Sequence, residues 1–454
     1  MSSIEAKAPT RKPCLLINRD FALLWLGQSV SSIGDALLDF TLVLWIVFDL
    51  GRGQAWAPLA VSGVLVSSSM GTLVIGPIAG VFVDRWDKRQ TLLWVTAVQA
   101  MLTASLLLAA DLVPLPFFVG GQPSLTVKLA MLYTVIFLVY GCAQFTRSAR
   151  TALIGDLVEE RDRPQASGLM ETMASLAFLI GFGIAPVLFV PFGIGVALFA
   201  DALSFVVAFA ALLGVKAPPS ARSVAAGRRG SVRGEFFEGV RFSLGNLVIR
   251  TLLVVYVIVL FGSGAINALF VFFLSEDLHA PAAAIGVFPV ALGVGLVLGS
   301  ILGGALARRV GLTRIFWISV VLLGICAITL SRQTSLAAAL VLAFLLGIPN
   351  GVMNVALMPL VLHVTPKELV GRVMTVLEPA MTVAQVASMA VFGTLASTVF
   401  FGFKASVLGA KFDTYNVLIL IPGLLCLLAG AIAFASLRHV SLRLAAAHQV
   451  DDGA

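Results

Sequence analysis

Residues 80–93, GVFVDRWDKRQTLL, place six charged or amide side chains between two long apolar runs. The rest of the chain contrasts with this stretch, because 59% of its 454 residues are hydrophobic and 12% are charged. A soluble globular chain has roughly 25% charged residues. The chain also contains many runs of 18 or more apolar residues, and about 20 helical residues cross a hydrocarbon core of roughly 30 Å. The composition therefore predicts an all-α membrane protein in which this stretch is a loop at the membrane surface.

Hydropathy, with Gly, Pro and charge as breaks, predicts six spans, a polar linker and six further spans. The predicted domains are a segment at 1–20, a six-helix bundle at 21–215, a linker at 216–247, a second bundle at 248–437 and a tail at 438–454. The first segment is polar and basic, and the apolar run after it is too long for a cleavable signal peptide. The predicted spans are 21–49, 57–83, 91–110, 126–146, 165–189, 193–215, 248–274, 283–307, 313–331, 336–362, 373–400 and 415–437.

The distribution of basic residues orients these spans. With the N-terminus in the cytoplasm, all but five of the 30 Lys and Arg residues fall in cytoplasmic segments, and none is predicted deep in a span. The sequence therefore predicts a multi-pass protein of the inner or plasma membrane with both termini in the cytoplasm. The net charge of +7 follows from this topology. It indicates contact with anionic membrane lipids and argues against nucleic-acid binding. The five exceptions are Arg52, Lys128, Arg332, Lys404 and Lys411.

The charged stretch has a weaker counterpart in the second half of the chain. GPIAGVFVDRWDKRQ (76–90) ends the second span, and LGGALARRVGLTR (302–314) ends the eighth. Aligning Gly80 with Gly304 places Arg308 opposite Asp84. Internal repeats of six spans are typical of secondary transporters, whose substrates bind near the membrane midplane between the halves.

The first copy resembles the loop 2–3 signature of the major facilitator superfamily, Gly-x-x-x-Asp-Arg/Lys-x-x-Arg/Lys-Arg. Five further stretches resemble the drug:proton antiporter-3 branch of that superfamily, which includes macrolide efflux proteins and the enterobactin exporter. The resemblance covers nearly the whole chain and implies the major facilitator fold, with twelve transmembrane helices in two pseudo-symmetric six-helix bundles. The five stretches are NRDFALLWLGQSVSSIGD, ARTALIGDLV, PQASGL, FADALSF and TPKELVGRVMTV.

The resemblance also implies a cytoplasmic gate formed by Gly80, Asp84, Arg85 and Arg89. Asp84 is expected to face the start of span eleven near Gly371, where free N–H groups and the helix dipole attract a carboxylate. The two arginines are expected to pair with acids such as Asp87 or Glu159. These contacts would form only when the halves close on the cytoplasmic side, so they would favour the outward-open state. The alternative is that the basic residues only mark the loop as cytoplasmic.

Ionisable residues inside spans cost about 2.5–3.5 kcal/mol and are functional candidates by default. We predict that Asp35, Asp39, Glu171 and Glu378 couple protons or line the substrate cavity. The first two lie four residues apart and share a helix face. Asp35 is roughly 20 Å along its helix, near mid-membrane, and Asp39 is expected nearer the outer surface. Burial and a like-charged neighbour both favour a protonated carboxyl. The alternative for Asp35 is a simple hydrogen bond to a neighbouring helix.

Glu171 and Glu378 are predicted at similar depths in spans five and eleven, which are expected to line the interface between the halves. Asp201 is predicted to make a structural helix contact. Arg147 and Arg150 are expected to anchor the loop after span four, so no Lys or Arg is predicted deep enough to neutralise the acids. The antiporter signature of span five, Gly-x-x-x-Gly-Pro-x-x-Gly-Gly, is largely degraded to GFGIAPVLF (181–189) in this chain. This departure counts against strict antiport.

The sequence offers no candidate site for enzymatic chemistry. It contains no Walker A loop, HExxH or GxSxG motif, and its four cysteines have neither metal-site nor disulfide spacing. We therefore predict no enzyme activity, cofactor or metal. The predicted function is a monomeric secondary transporter that exports amphipathic, drug-like compounds by alternating access, in exchange for protons. The alternatives are a dedicated exporter of one metabolite, siderophore or lysophospholipid, and a transport-dead receptor or assembly factor with the same fold.

Overall fold

The computed structural model describes residues 17–83, 85–110, 124–216, 232–366, 369–407 and 410–451. Asp84, which the resemblance places at the centre of the gate, lies outside these ranges. In the described chain the N-terminal long helices are α1 (Arg19–Trp45), α2 (Ala57–Val83), α3 (Lys88–Ala109), α4 (Leu125–Leu157), α5 (Arg163–Phe192) and α6 (Ile194–Gly214). The C-terminal ones are α7 (Leu247–Phe272), α8 (Val287–Val310), α9 (Leu312–Ser331), α10 (Leu336–Val364), α11 (Val370–Ser397) and α12 (Thr414–Asp451).

Eleven of these helices, α2 to α12, are long and apolar enough to cross a membrane. The remaining one, α1, has 27 residues, which is sufficient length, but its apolar run is interrupted by Gln28, Asp35, Asp39 and several serines. Its start is fixed by Asn18, whose side chain accepts a hydrogen bond from the Phe21 N–H. A helix of this length with polar residues inside it indicates a span that keeps its polar face within the protein.

Several shorter elements connect the long helices. A linker helix (Val232–Gly245) precedes α7, and a short helix (Ala282–Ile285) precedes α8. Both α1 and α7 end in a π-helical turn, at Ile46–Leu50 and Phe273–Asp277. Strands β1 (Lys404–Val407) and β2 (Ala410–Asp413) form an antiparallel hairpin before α12. The linker helix and the hairpin were not expected from the hydropathy pattern.

The two halves pack in the same pattern. In the first half α1 packs on α5 and α6, α3 packs on α4 and α6, and α2 packs on α4. In the second half the same pairs recur six helices later: α7 with α11 and α12, α9 with α10 and α12, and α8 with α10. Small residues allow these approaches, since a Cβ on Gly299 of α8 would overlap the Ile348 carbonyl of α10. The predicted fold, two pseudo-symmetric six-helix bundles, is confirmed.

The bundles meet at one end of the molecule and separate at the other. We call the end carrying the hairpin (404–413) the hairpin end, and the opposite end, where α1 begins, the basic end. At the hairpin end α2 contacts α11, where the Leu59 N–H donates to Ser397 Oγ at 2.9 Å, and α5 contacts α8. At the basic end an added Cβ on Gly80 or Gly304 would meet no atom within 4 Å. The hairpin end is therefore closed and the basic end is open.

Candidate functional site

A cavity of about 220 Å³ lies between the two bundles. Helices α1, α2, α4 and α5 of the first bundle and α7, α8 and α11 of the second contribute side chains to it. The lining is mostly aromatic and aliphatic, and its polar side chains are Asp39, Ser68, Tyr140 and Asn267. An apolar cavity with a few convergent polar groups at an interface between domains is typical of a small-molecule site.

Asp39 is the carboxylate that lines this cavity. Its side chain is half-buried, and the Tyr140 hydroxyl of α4 donates a hydrogen bond to Asp39 Oδ2. Asp39, which the sequence places nearer the outer surface, lines the cavity between the bundles, and the first helix continues past it through the π-helical turn Ile46–Leu50. The hydrogen bond orients the carboxylate at the wall of the cavity, where a bound molecule could reach it.

Phenylalanine rings on four helices form a continuous stack along the cavity. Phe178 and Phe182 of α5 have ring centroids 4.3 Å apart, and Phe182 stacks on Phe40 of α1 at 4.8 Å. Phe40 stacks in turn on Phe270 of α7 at 6.0 Å, with 9° between the ring planes. Phe270 stacks on Phe288 of α8 at 5.5 Å. The contact between Phe40 and Phe270 joins the two bundles, so the stack belongs to both.

A second group of polar side chains lies inside the first bundle, next to Asp39. Asp201 of α6 is 1% exposed and accepts hydrogen bonds from Thr103 Oγ1 at 3.3 Å and Ser204 Oγ at 3.4 Å. It packs against α1 at Gly34, where a Cβ would lie 2.6 Å from Asp201 Oδ1. Asp35 is an electrostatic neighbour of both Asp201 and Asp39. Asp39 is also an electrostatic neighbour of Asp201. The predicted helix contact of Asp201 is therefore present, and it brings a third carboxylate to the pair.

The same group contains a cation that the sequence interpretation placed in a loop. Helix α4 continues through Leu157, so Arg147 and Arg150 belong to the helix itself. Arg147 is exposed, whereas Arg150 is partly buried and donates to Gln28 Oε1 of α1 at 3.4 Å. Its acidic neighbours are Asp35 and Glu171. The expectation that no Lys or Arg lies close enough to neutralise the intramembrane acids is wrong, because hydropathy marks the end of an apolar run and not the end of a helix.

Glu171 and Glu378 do not line the cavity, and both are exposed. Each lies eight residues after its helix begins, in agreement with the similar depths expected for them. Glu171 precedes the cavity residue Phe178 by two helical turns, and Glu378 precedes the cavity residue Met389 by three. At 3.6 residues per turn, each therefore shares a helix face with a cavity residue, roughly 10–16 Å nearer the basic end.

The gate residues lie at the open basic end. Asp84 is outside the described residues, and Gly80 faces open space. Arg85 is exposed. Arg89 donates to the carbonyls of Leu212 and Leu213 at the end of α6, at 3.3 and 2.9 Å. Cations at a helix C-terminus are favourable, so Arg89 ties α3 to α6 within one bundle.

The expected ion pairs of the two gate arginines are absent from the described part of the chain. Asp87 instead caps α3 by accepting from the Gln90 N–H at 2.8 Å, and Glu159 pairs with Arg161 at 3.1 Å. Lys88, which the sequence treats as a topology marker, pairs with Asp156 of α4 at 2.6 Å. In this open state both acids have nearer partners, and the arginine pairs are expected only when the halves close at the basic end. The gate itself concerns the closed basic end and stays a prediction.

Two features of the site were missed at the level of sequence. No sequence pattern marks Tyr140 as a cavity residue. It lies two turns before Arg147, on the helix that the hydropathy pattern ended at residue 146. The linker helix contacts α11 through an ion pair between Glu238 and Arg372 and through Gly239, where a Cβ would overlap the Arg372 carbonyl. The GEFFEGVRF run (234–242) within the polar linker, with its apolar and charged residues at helical spacing, could have indicated this helix.

Comparisons with known proteins agree with this architecture. The family model described as transmembrane secretion effector matches residues 12–437. The chain is 25% identical to the uncharacterized MFS-type transporter YkuC of Bacillus subtilis (strain 168), over 81% of this chain and 83% of that one. It is 23% identical to macrolide efflux protein A of Streptococcus pyogenes, over 63% of this chain and 66% of that one.

Among solved structures, the fold is similar to that of a bacterial homologue of the iron transporter ferroportin in its inward-facing state. The TM-score is 0.69 at 17% sequence identity, and the match covers 92% of this chain and 98% of the other.

Proposed function

This chain belongs to the transmembrane secretion effector family of the major facilitator superfamily, and from that premise we propose that it exports amphipathic, drug-like compounds in exchange for protons. The proposal is supported by a cavity between two bundles that is shut at one end and open at the other. Alternating access requires this arrangement, because the substrate site must face one side of the membrane at a time. Export is the direction that the name of the macrolide efflux relative suggests.

The distribution of Lys and Arg assigns the basic end to the cytoplasm. In this proposed orientation both termini would lie in the cytoplasm and the structure would be inward-facing, and we propose the inner or plasma membrane as its location. Substrate would then enter the cavity from the cytoplasm or from the inner leaflet. We propose that the chain acts as a monomer whose partners are the small-molecule substrate, protons and membrane lipids, without nucleic acid.

The observation that carries the proton-coupling proposal is the grouping of Asp35, Asp39 and Asp201 with a single cation, Arg150. Three carboxylates and one guanidinium in a low-dielectric interior leave a charge that is costly unless protons neutralise it. We propose that protons bound there can be exchanged, since Asp39 lines the cavity and Arg150 is an electrostatic neighbour of both Asp35 and the exposed Glu171. In the proposal this group supplies a route between the cytoplasm and the cavity, and Glu378 of the other bundle takes part in proton exchange from the exposed surface nearer the basic end.

In the proposed cycle the inward-facing protein releases a proton from this group towards Glu171 and the cytoplasm. The negative charge left at Asp39 favours entry of the substrate. The basic end then closes, the hairpin end opens, and a proton from outside replaces the substrate at Asp39. Gly80, Asp84, Arg85 and Arg89 would stabilise the closed basic end, with Asp84 at the start of α11.

The test is transport of a panel of fluorescent dyes by purified protein in proteoliposomes, with and without an imposed pH gradient. The parent chain should export at least one dye faster when protons can flow in the opposite direction. Asp35→Asn should abolish that stimulation, while Asp49→Asn, an exposed acid beyond the cavity, should retain it. Export that ignores the gradient would exclude proton exchange and favour a dedicated exporter. A chain that transports none of the dyes, metabolites, siderophores or lysophospholipids offered would favour the receptor alternative.

A further inference from the structure

The cavity has one acidic side chain and an aromatic wall shared by both bundles, and these two features together define a ligand. We propose that the preferred ligand is a small, flat aromatic molecule with one positive charge. The charge would bind at Asp39 and the ring would insert between Phe40 and Phe270. This proposal rests on the export function proposed above and narrows it to a substrate class.

The charge of the ligand follows from the lining. Of the polar side chains that reach the cavity, Ser68, Tyr140 and Asn267 are neutral donors or acceptors, and Asp39 supplies the carboxylate. A single organic cation is attracted to such a site, and a carboxylate in an apolar cavity strongly disfavours an anion.

The shape of the ligand follows from the ring stack. Phe40 directly follows Asp39 in α1, and its ring lies nearly parallel to that of Phe270 at 6.0 Å between centroids. A ring inserted between two others needs about 7–8 Å, which is two van der Waals contacts. Insertion of a flat ring therefore requires α1 to move away from α7, and the inserted ring would be in stacking contact on both faces.

The size of the ligand follows from the volume. A cavity of about 220 Å³ lies below the range of roughly 300–1,000 Å³ usual for drug-sized ligands. A fused system of two to four rings suits this space better than a macrolide, which is a large lactone ring carrying sugars. The ligand expected at this site therefore differs from the macrolide that the name of the efflux relative indicates.

Insertion at this position would also act on the closed end of the molecule. Phe40 and Phe270 belong to different bundles, and the hairpin end is closed by contacts between the same bundles. A ring that separates α1 from α7 would weaken that closure, so binding would favour the outward-open state. An alkyl cation of equal charge would neutralise Asp39 without providing this separation.

Binding of ethidium to the detergent-purified full chain, measured by fluorescence anisotropy, tests the proposal. Phenanthridine, the same ring system without the charge, and tetrapropylammonium, an equal charge without a ring, serve as competitors. Ethidium should bind at least about tenfold more tightly than either competitor. Equal binding of ethidium, phenanthridine and tetrapropylammonium by the unmodified chain, or a preference for tetrapropylammonium, would overturn the proposal. This result needs no variant.

Variants then locate the site. Asp39→Asn should weaken ethidium binding about tenfold and leave phenanthridine within about twofold. Phe270→Leu and, independently, Phe40→Leu should weaken ethidium about tenfold and tetrapropylammonium by less than about threefold. The matched controls are Asp49→Asn, and Phe272→Leu, whose ring stacks on Tyr415 at 5.5 Å outside the cavity. Each variant is first compared with the parent by size-exclusion profile and melting temperature.

Two results separate this inference from the function on which it rests. Ethidium binding that is unchanged in Asp39→Asn and in both phenylalanine variants would show that the assigned site is wrong, whatever the chain exports. Binding that follows the expected pattern in a chain that transports nothing in proteoliposomes would support the site and contradict the export function.

Discussion

The two bundles repeat each other in packing and differ in chemistry. The main helix pairs of the first bundle have their counterparts six helices later. The first bundle, however, brings Asp39 and Tyr140 to the cavity, and the second brings only non-ionisable side chains such as Ile266, Asn267 and Phe270. Inside the second bundle a partly buried polar contact is neutral, from Tyr256 Oη to Asn354 Oδ1 at 3.0 Å.

The comparison teaches that the fold requirement and the functional requirement act on different residues. Helix packing needs small residues at crossings, and both bundles have them. The proposed proton exchange needs a titratable group with a route to water, and among the cavity-lining side chains that group, Asp39, comes from the first bundle. We therefore expect equivalent substitutions in the two halves to have similar effects on stability and different effects on transport.

The largest effect should come from removing the cation of the first bundle. Arg150→Met leaves Asp35 and Glu171 without their basic neighbour, and an uncompensated interior charge is costly. We expect proton-driven dye export to fall at least about tenfold. Arg147→Met, one turn away and exposed, should stay within about twofold. Similar losses in both variants would show that the position of Arg150 near the carboxylates is unimportant.

Next in size is a matched pair of packing substitutions. A Cβ at Gly34 would meet Asp201 Oδ1 at 2.6 Å, and a Cβ at Gly264 would meet the Gln385 carbonyl oxygen at 2.6 Å. Both Gly34→Ala and Gly264→Ala should destabilise the chain by about 1–3 kcal/mol, measured as a lower melting temperature in detergent. Only Gly34→Ala should also reduce the stimulation of export by a pH gradient. Loss of coupling in both would break the proposed division between the halves.

A smaller effect is expected at the open basic end. Gly80 and Gly304 both face open space in this state, so Gly80→Val and Gly304→Val should leave the melting temperature nearly unchanged. If the first-half loop forms the gate, Gly80→Val should slow export about threefold to tenfold, because the added side chain obstructs closure. Gly304→Val should slow export less, because the second half has Arg308 at the position that Asp84 occupies in the first half. Equal rates in the two variants would contradict an asymmetric gate.

The smallest effect is expected for the linker helix. Glu238→Gln removes the ion pair with Arg372. Both side chains of this pair are partly exposed. Such pairs contribute roughly 0–1 kcal/mol, so the melting temperature should fall by no more than a few degrees, and less at high salt. Glu160→Gln, an exposed acid of the loop before α5, is the control. A large loss of stability would show that the linker helix holds the second bundle together.

Much of the fold could be predicted because the membrane restricts the chain so strongly. Twelve helices follow from apolar runs of sufficient length, and the six-plus-six arrangement follows from the repeated loop motif. The hairpin at 404–413 was missed because short strands outside the membrane carry no long apolar run. The linker helix was missed because it lies in a polar segment that hydropathy reads only as a break.

The candidate site was predictable in its acids and not in their surroundings. Asp35 and Asp39 were found because a charge in an apolar run is unusual on its own. Arg150 was misplaced because an arginine at the edge of an apolar run has the same sequence signature whether its helix ends there or continues. The neighbourhood of Asp201 and Gly34 is a contact between the sixth helix and the first, which no local pattern records.

The single carboxylate at the cavity has an energetic consequence for the cycle. Asp39 can neutralise one positive charge at a time, either a proton or a singly charged organic cation. An exchange of one for the other moves no net charge across the bilayer. The membrane potential, which would otherwise contribute about 2.3 kcal/mol per charge for every 100 mV, then drops out of the driving force. Export of such a cation would follow the pH difference alone and continue in a fully depolarised cell.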